Sequence, residues 1–141
     1  MKKWIFTALC ALTFVWIAGG CCKCRTYQQR TQKPLMGTAW QLVQLKGQTI
    51  TPSEETYTLL FGEDGRLSGK GACNRIMAAY QVGEKCALTI SSAATTRMAC
   101  PGMEQEAAFI QALEGITHYE MDGPMLMLLA HGELYAVLQS K

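Results

Sequence analysis

The fold is decided near the C-terminus by the stretch Met125-Leu126-Met127-Leu128-Leu129, which is apolar at every position. A short apolar run bounded by turn residues is typical of a strand that is covered on both of its faces. We therefore predict a central strand here, with a helix packed on one side of it.

Two further strands are predicted beside this stretch, from Ile116 to Met121 and from Leu134 to Gln139. The connections are the turn-forming segments Asp122-Gly123-Pro124 and His131-Gly132-Glu133. Because connections this short can only reverse the chain, the three strands are expected to pair in antiparallel fashion.

The same alternation of short apolar segments and turns runs through the preceding part of the chain. The Asp64-Gly65 pair supplies the positive φ that a tight hairpin needs, and Lys46-Gly47 marks another turn. The strands predicted here run from Trp40 to Leu45, Tyr57 to Phe61, Arg66 to Gly71, Asn74 to Val82 and Cys86 to Ser91.

One helix interrupts the strand pattern. Pro101 can start it, and Gly115 can end it in a left-handed cap. Glu104 and Glu106 place negative charge near its N-terminal end, where the helix dipole favours it. Helical spacing predicts that the buried face consists of Met103, Ala107, Ile110 and Leu113, with Phe109 beside them.

Residues 1–20 have the pattern of an export signal. Lys2 and Lys3 precede an apolar segment at 4–18 that is shorter than the about 20 residues needed to span a bilayer. The segment Ala18-Gly19-Gly20-Cys21 then fits a lipobox, in which the Cys21 thiol accepts a diacylglyceryl group before the signal is cleaved. Three alternatives remain open: an uncleaved anchor, ordinary cleavage after Gly19 or Gly20, and a chance cluster of cysteines.

Charge divides the remaining chain into a tether at 21–36 and a domain at 37–141. The tether carries four basic residues and no acid, which is typical of a flexible segment lying against anionic headgroups. The domain has 7 basic and 11 acidic residues. Because nucleic-acid phosphates require a basic surface, we expect no nucleic-acid partner.

Cysteine usage favours disulfides, the default state in an oxidising compartment. Cys73, Cys86 and Cys100 stand about a dozen residues apart and lack the C-x-x-C spacing of zinc and redox sites. We therefore predict no metal and no cofactor. From spacing alone the pairing stays open, since one of the three thiols is left over or pairs with Cys22 or Cys24 of the tether.

Two motifs resemble those of the META-domain family: Gly71-Ala72-Cys73-Asn74, and Thr96-Arg97-Met98-Ala99-Cys100 ahead of the helix. The similar pattern continues in the helix with Glu104 or Glu106, followed by Phe109 and Leu113. The resemblance extends from about Leu35 to Leu138. It implies an α+β domain in which a strongly curved, barrel-like antiparallel sheet wraps on a single helix. It also implies a disulfide between Cys73 and Cys100, and it marks as family-motif positions Gly71, Asn74, Thr96 and Met98.

Catalysis by this chain is not expected. A nucleophilic thiol at Cys73, with Asn74 as an oxyanion donor, would need His118 or His131 as its base, and both lie in the C-terminal hairpins. The sequence has no serine elbow and no phosphate-binding glycine loop.

Methionines and two aromatic residues offer weaker signals of a binding site. The seven methionines after residue 21 could hold copper(I), but core filling is the favoured interpretation. Trp40 and Tyr80 could line a groove, but we predict that they are buried anchors of the core.

These observations predict an exported, membrane-anchored lipoprotein of the bacterial cell envelope. The function that we expect is non-enzymatic: binding of another envelope protein, or support of the envelope under stress. The alternative is a small-molecule or metal-binding module that uses the concave face of the sheet. The membrane, reached through the lipid on Cys21, is the one partner predicted directly, and no ligand is identified.

Overall fold

The computed structural model describes residues 32–141. The predicted signal peptide, Cys21 and most of the predicted tether lie outside the described residues. The part that is described contains nine strands and one α-helix, namely β1 (Ala39–Leu45), β2 (Gln48–Thr49), β3 (Thr58–Phe61), β4 (Arg66–Lys70), β5 (Arg75–Val82), β6 (Leu88–Thr95), α1 (Met103–Glu114), β7 (His118–Asp122), β8 (Met125–Ala130) and β9 (Glu133–Ser140).

All of these strands belong to one antiparallel sheet, with the order β6-β5-β4-β3-β1-β9-β8-β7 and with β2 paired to β1 off this path. The predicted α+β class, a mostly antiparallel sheet with one helix, is confirmed. The sheet is open, with β6 and β7 as its edge strands. The edges approach at one point, where Ala87 forms a bridge with His118 and the Leu88 N–H donates to the Thr117 carbonyl at 3.0 Å.

The predicted hairpin between β3 and β4 is present. Gly65 has a φ of 76°, which glycine adopts without strain, and Asp64 Oδ1 accepts a hydrogen bond from the Arg66 N–H at 3.2 Å. This turn places Phe61 opposite Leu67, both of them buried. The hairpin therefore directs one face of β3 and β4 into the core.

The core is filled by the inward side chains of the strands together with one face of α1. Trp40, Phe61 and Phe109 are fully buried. Trp40 Nε1 donates to the Leu35 carbonyl at 3.0 Å, and the Tyr80 hydroxyl donates to the Gly62 carbonyl. Trp40 and Tyr80 are thus buried anchors with satisfied polar atoms, as the sequence predicted.

Strand β8 differs from its prediction in one respect. It lies inside the sheet between β7 and β9, as expected. Leu126 and Leu128 are buried, but Met125, Met127 and Leu129 on the opposite face are only half-buried. The opposite face is therefore not fully covered, and the prediction that β8 is covered on both faces holds for one face only.

Helix α1 also corrects the sequence prediction. The left-handed glycine is Gly102 at the N-terminus (φ 91°), whereas Gly115 at the C-terminus is right-handed (φ −87°). The buried positions are Glu106, Phe109, Ala112 and Leu113. Met103 and Ala107 are exposed. The helix is thus rotated from the predicted orientation, because the first turn buries the Glu106 carboxylate in place of Ala107.

Two smaller predictions were wrong. The methionines are not core fillers: Met36, Met77, Met98 and Met103 are 45% to 64% exposed, and the other described ones are half-buried. Cys86 does not begin a strand but ends a one-turn 3-10 helix at Glu84–Cys86.

Candidate functional site

The family-motif residues converge on one buried polar cluster. Gly71 and Asn74 lie in the loop between β4 and β5, whereas Thr96 and Met98 lie in the segment that follows β6. Glu106 reaches the cluster from α1. Among the described residues, Asn74 and Glu106 are the buried polar side chains, with 2% and 5% of their surface exposed.

Asn74 uses every hydrogen-bonding position of its side-chain amide. Its Nδ2 donates to Glu106 Oε1 at 2.6 Å and to the Met98 carbonyl at 3.1 Å. Its Oδ1 accepts from Thr96 Oγ1 at 2.8 Å and from the Met98 N–H at 2.7 Å. A single side chain therefore fixes the segment that contains both Thr96 and Met98.

Glu106 binds the loop at residues 71–74 from the helix side. Its Oε2 accepts the N–H groups of Cys73 and Asn74 at 3.2 and 3.1 Å. Burial alone raises the pKa of Glu106, but the hydrogen bonds from Asn74, Cys73 and Ala72 outweigh burial and hold the pKa below its usual value. The carboxylate is thus charged at neutral pH and satisfied by donors from within the protein.

Gly71 is required by the position of this carboxylate. A Cβ atom at residue 71 would collide with Oε2, Cγ and Cδ of Glu106. The Gly71 N–H donates to the Asn74 carbonyl at 2.8 Å, and the Tyr57 N–H donates to the Gly71 carbonyl at 3.1 Å. The motif glycine therefore allows the loop backbone to pack directly against α1.

A disulfide between Cys73 and Cys100, with a Cα–Cα distance of 6.5 Å, covers the cluster. This bond is the one implied by the family resemblance, and it is confirmed. Cys73 consequently has no free thiol in this structure. His118 and His131 both hydrogen-bond to Thr117, and neither contacts Cys73 through a hydrogen bond.

Tyr57 extends the cluster toward the start of α1. Its hydroxyl donates to the Gly102 carbonyl at 3.4 Å, and the edge of its ring packs against Phe109. Burial, followed by the negative charge of Glu106, raises the pKa of Tyr57. The phenol therefore stays neutral over the physiological range and serves as a structural donor.

A separate cleft of about 690 Å³ opens where the two edges of the sheet approach. We call it the seam cleft; its lining includes Cys86, His118, Tyr119 and Met121. Cys86 is exposed and is the one free cysteine among residues 32–141. Burial raises the pKa of Tyr119, and the neighbouring Cys86 raises it further.

The described part of the chain adds two further findings. It contains no group of three or more His, Cys, Asp or Glu side chains that could hold a metal ion. None of its helices is long and apolar enough to cross a membrane. Cys21, the predicted lipidation site, lies outside this part.

The motif residues themselves were predicted from the sequence, but the role of Glu106 was not. From the sequence, Glu106 is predicted to complement the helix dipole and, with Glu104 as the alternative, to match an acidic position of the family pattern, but no partner is predicted for it. Its spacing from Phe109 and Leu113 places it on the apolar stripe of α1, and an acid in that position is the signal of a buried partner.

Solved structures support the fold. A DUF4847 family protein from Bacteroides vulgatus is 18% identical, with a TM-score of 0.58, over 74% of this chain and 93% of that one. A protein from Burkholderia xenovorans is 29% identical, with a TM-score of 0.59, over 76% of this chain and 83% of that one. No curated protein sequence matches the chain significantly.

A comparison with protein families matches residues 33–141 to the META domain. The match covers the whole sheet, the helix, both motifs and the disulfide that joins them. It also includes Glu106, which binds the loop of the first motif from the helix side. The chain therefore belongs to the META-domain family.

Proposed function

We propose that this protein is an exported lipoprotein, attached through Cys21, whose META domain acts through its surface as an interaction or maintenance module of the bacterial cell envelope. The observation that carries the proposal is the saturation of the Asn74–Glu106 cluster. Every hydrogen-bonding position of Asn74 is used within the protein, and Glu106 accepts bonds from donors of its own chain. A cluster in which no buried side-chain nitrogen or oxygen lacks a partner serves stability better than it serves a substrate.

The packing of the core supports action through the surface. Trp40, Phe61 and Phe109 fill the space between the sheet and α1, and none of them is exposed. Side chains without exposed surface cannot contact a partner. The exposed apolar residues instead lie on the outside of the domain, Met77 and Met98 among them.

We further propose that the sheet is strongly curved and barrel-like around the helix. The contacts that support this are the bridge between Ala87 and His118 and the hydrogen bond from Leu88 to Thr117, which link the two edge strands at one end. Slow hydrogen exchange of the Leu88 amide, compared with the other edge-strand amides, tests it. Rapid exchange of that amide would count against curvature of this degree.

Lipid attachment is tested by metabolic labelling with an alkyne fatty acid. The parent chain and a Cys22→Ser variant are expected to carry the label in the membrane fraction, whereas Cys21→Ser is expected to lose it. Equal labelling of the Cys21→Ser chain would show that the lipid is attached to a residue other than Cys21. An unlabelled parent chain would contradict the lipoprotein proposal.

An envelope role is tested by cross-linking with mass spectrometry in native membranes, together with deletion of the gene. We expect a reproducible cross-linked envelope protein, an envelope defect on deletion, or both. Absence of both results under envelope stress would contradict the proposal.

A second proposal is that the domain binds a small molecule or a soft metal ion. Since the inward side chains of the sheet are already packed in the core, this proposal rests on the seam cleft, where a thiol, an imidazole and a thioether line one space. Thermal-shift measurements with ligand panels and copper(I) test it, with a Cys86→Ser variant as control. An unchanged melting temperature throughout would contradict it.

A further inference from the structure

Charge is distributed unevenly over the surface of the domain. Residues 37–141 contain 11 acidic and 7 basic residues, yet strands β3 to β6 contain no acidic residue at all. The same four strands carry Arg66, Lys70 and Arg75. One region of an otherwise acidic domain is therefore basic.

The strand register places these basic side chains on the outer side of the sheet. They alternate with Leu67 and Ile76, which are buried in the core. Lys70 stands opposite Arg75, and both therefore point away from the core on neighbouring strands. Because alternate residues of a strand share a face, the three cations project from one surface.

A row of uncharged side chains crosses the same surface. Leu60 pairs with Ser68, Ser68 with Met77, and Met77 with Ala94. Met77 is 64% exposed and Leu60 is 40% exposed. We call this surface, formed by the outward residues of β3 to β6, the outer face; it combines exposed apolar side chains with positive charge.

Arg75 differs from the other two cations of the outer face because no acidic side chain of the described residues forms an ion pair with it. Lys70 lies 3.6 Å from Glu55, and Arg66 lies 3.6 Å from Asp64, both acids being on loops at the rim. Arg75 has no such ion pair within residues 32–141. Two shallow grooves meet at the Lys70 and Arg75 side chains, one extending to Leu60 and the other to Met98.

We propose that the outer face docks on an anionic lipid bilayer surface, with Lys70 and Arg75 on the headgroups and Met77 inserted between them. Exposed apolar side chains with cations on either side match the chemistry of an anionic interface. The proposal rests on the proposed function for its membrane, because a lipid on Cys21 would keep the domain beside one. The grooves on this face are shallow and open, which favours a bilayer over a protein that needs pockets for its side chains.

The test uses an unlipidated chain of residues 22–141, which keeps the whole described core from Leu35 to Leu138. Its binding is measured by co-sedimentation with vesicles made of equal parts phosphatidylglycerol and phosphatidylcholine. We expect the Lys70→Gln/Arg75→Gln double variant to bind about twenty-five-fold more weakly, since each cation near an anionic surface contributes about five-fold. Met77→Ser is expected to weaken binding as well.

The matched control is Lys46→Gln/Lys85→Gln, which removes the same charge from exposed positions outside β3 to β6 and leaves the basic tether intact. It is expected to bind as the parent chain does. Equal weakening by both double variants, or equal binding to pure phosphatidylcholine, would overturn the proposal. The Lys70→Gln/Arg75→Gln variant could instead keep its vesicle binding and lose a cross-link to an envelope protein. That result would show that the outer face binds a protein, and it too would overturn the proposal.

Because this chain carries no lipid, the vesicle result does not depend on Cys21. A negative vesicle test with intact fatty-acid labelling in cells therefore rejects the docking face alone. Circular dichroism melts of each variant verify that lost binding does not reflect unfolding.

Discussion

Glu106 Oε1 lies 2.6 Å from Asn74 Nδ2, and this contact joins the helix to the loop that carries the first family motif. The other carboxylate oxygen accepts two backbone N–H groups of the same loop. Removing a carboxylate from water is costly unless its hydrogen bonds are replaced, and here the protein supplies the replacements. The pair therefore fixes how α1 docks on the β4–β5 loop.

Replacement of Glu106 by Ala is expected to lower the free energy of unfolding by about 3–5 kcal/mol, because it leaves the buried Asn74 amide and two backbone donors without partners. Glu104→Ala is the control, since Glu104 is exposed in the same helical turn and should cost less than about 0.5 kcal/mol. Urea unfolding followed by circular dichroism measures both. A cost below about 1 kcal/mol for Glu106→Ala would contradict the assigned role.

The lowered pKa of Glu106 predicts a specific pH dependence. A group whose pKa is lower in the folded than in the unfolded state stabilises the fold above its unfolded pKa, here about 4.5. That contribution disappears as the pH falls through the lower, folded pKa. The stability advantage of the parent over Glu106→Gln should thus shrink between about pH 5 and pH 3.

Gln cannot titrate, and the other acids are common to both proteins, so the difference isolates Glu106. Urea midpoints of the parent protein and Glu106→Gln, measured across this pH range, check the prediction. If the stability advantage of the parent over Glu106→Gln grows as the pH falls, the folded protein favours the protonated form of Glu106, and the prediction of a lowered pKa is wrong.

The sheet is largely predictable from the sequence because the signals for its strands and turns are local. The Asp64-Gly65 turn fixes the β3–β4 hairpin, and the fully apolar stretch at 125–129 locates an interior strand. The orientation of α1 was missed because helical spacing was judged by apolarity alone. Glu106 occupies the inward face, and only the distant residue Asn74 makes an acid tolerable there.

In the candidate site, too, local motifs are predictable from the sequence and long-range contacts are not. The resemblance to the family identified Gly71, Asn74, Thr96 and Met98, and the structure brings them together. Glu106, the buried partner of Asn74, lies 32 residues away from it along the chain, so its role depends on a long-range contact. Such long-range pairing is not encoded in the local pattern of either segment.

Replacement of Gly71 by Ala should be strongly destabilising, by about 1–3 kcal/mol, because the added Cβ meets the Glu106 carboxylate in a well-packed site. Gly115→Ala is the matched control. Gly115 has right-handed helical geometry, and the nearest atom to its added Cβ is 3.5 Å away, so Ala should be neutral or stabilising by about 0.4–1 kcal/mol.

Thermal melts of both glycine variants provide the comparison. If Gly71→Ala has the same melting temperature as the parent protein, the loop has room to shift and the close packing against Glu106 is not required.

The Cys73–Cys100 disulfide should contribute to stability independently of Cys86. It closes a loop with a sequence separation of 27, for which the chain-entropy account gives about 3.5 kcal/mol. The Cys73→Ser/Cys100→Ser double variant is expected to lose about that amount while it keeps its circular dichroism spectrum, because Asn74 still binds the Met98 backbone. Cys86→Ser, at an exposed position, should change stability by less than about 0.5 kcal/mol. Alkylation without reductant, followed by peptide mass analysis, should modify Cys86 and leave Cys73 and Cys100 unmodified. Modification of Cys73 in the folded protein would contradict the disulfide. A loss of stability in Cys86→Ser but not in the double variant would contradict a stabilising role for the disulfide.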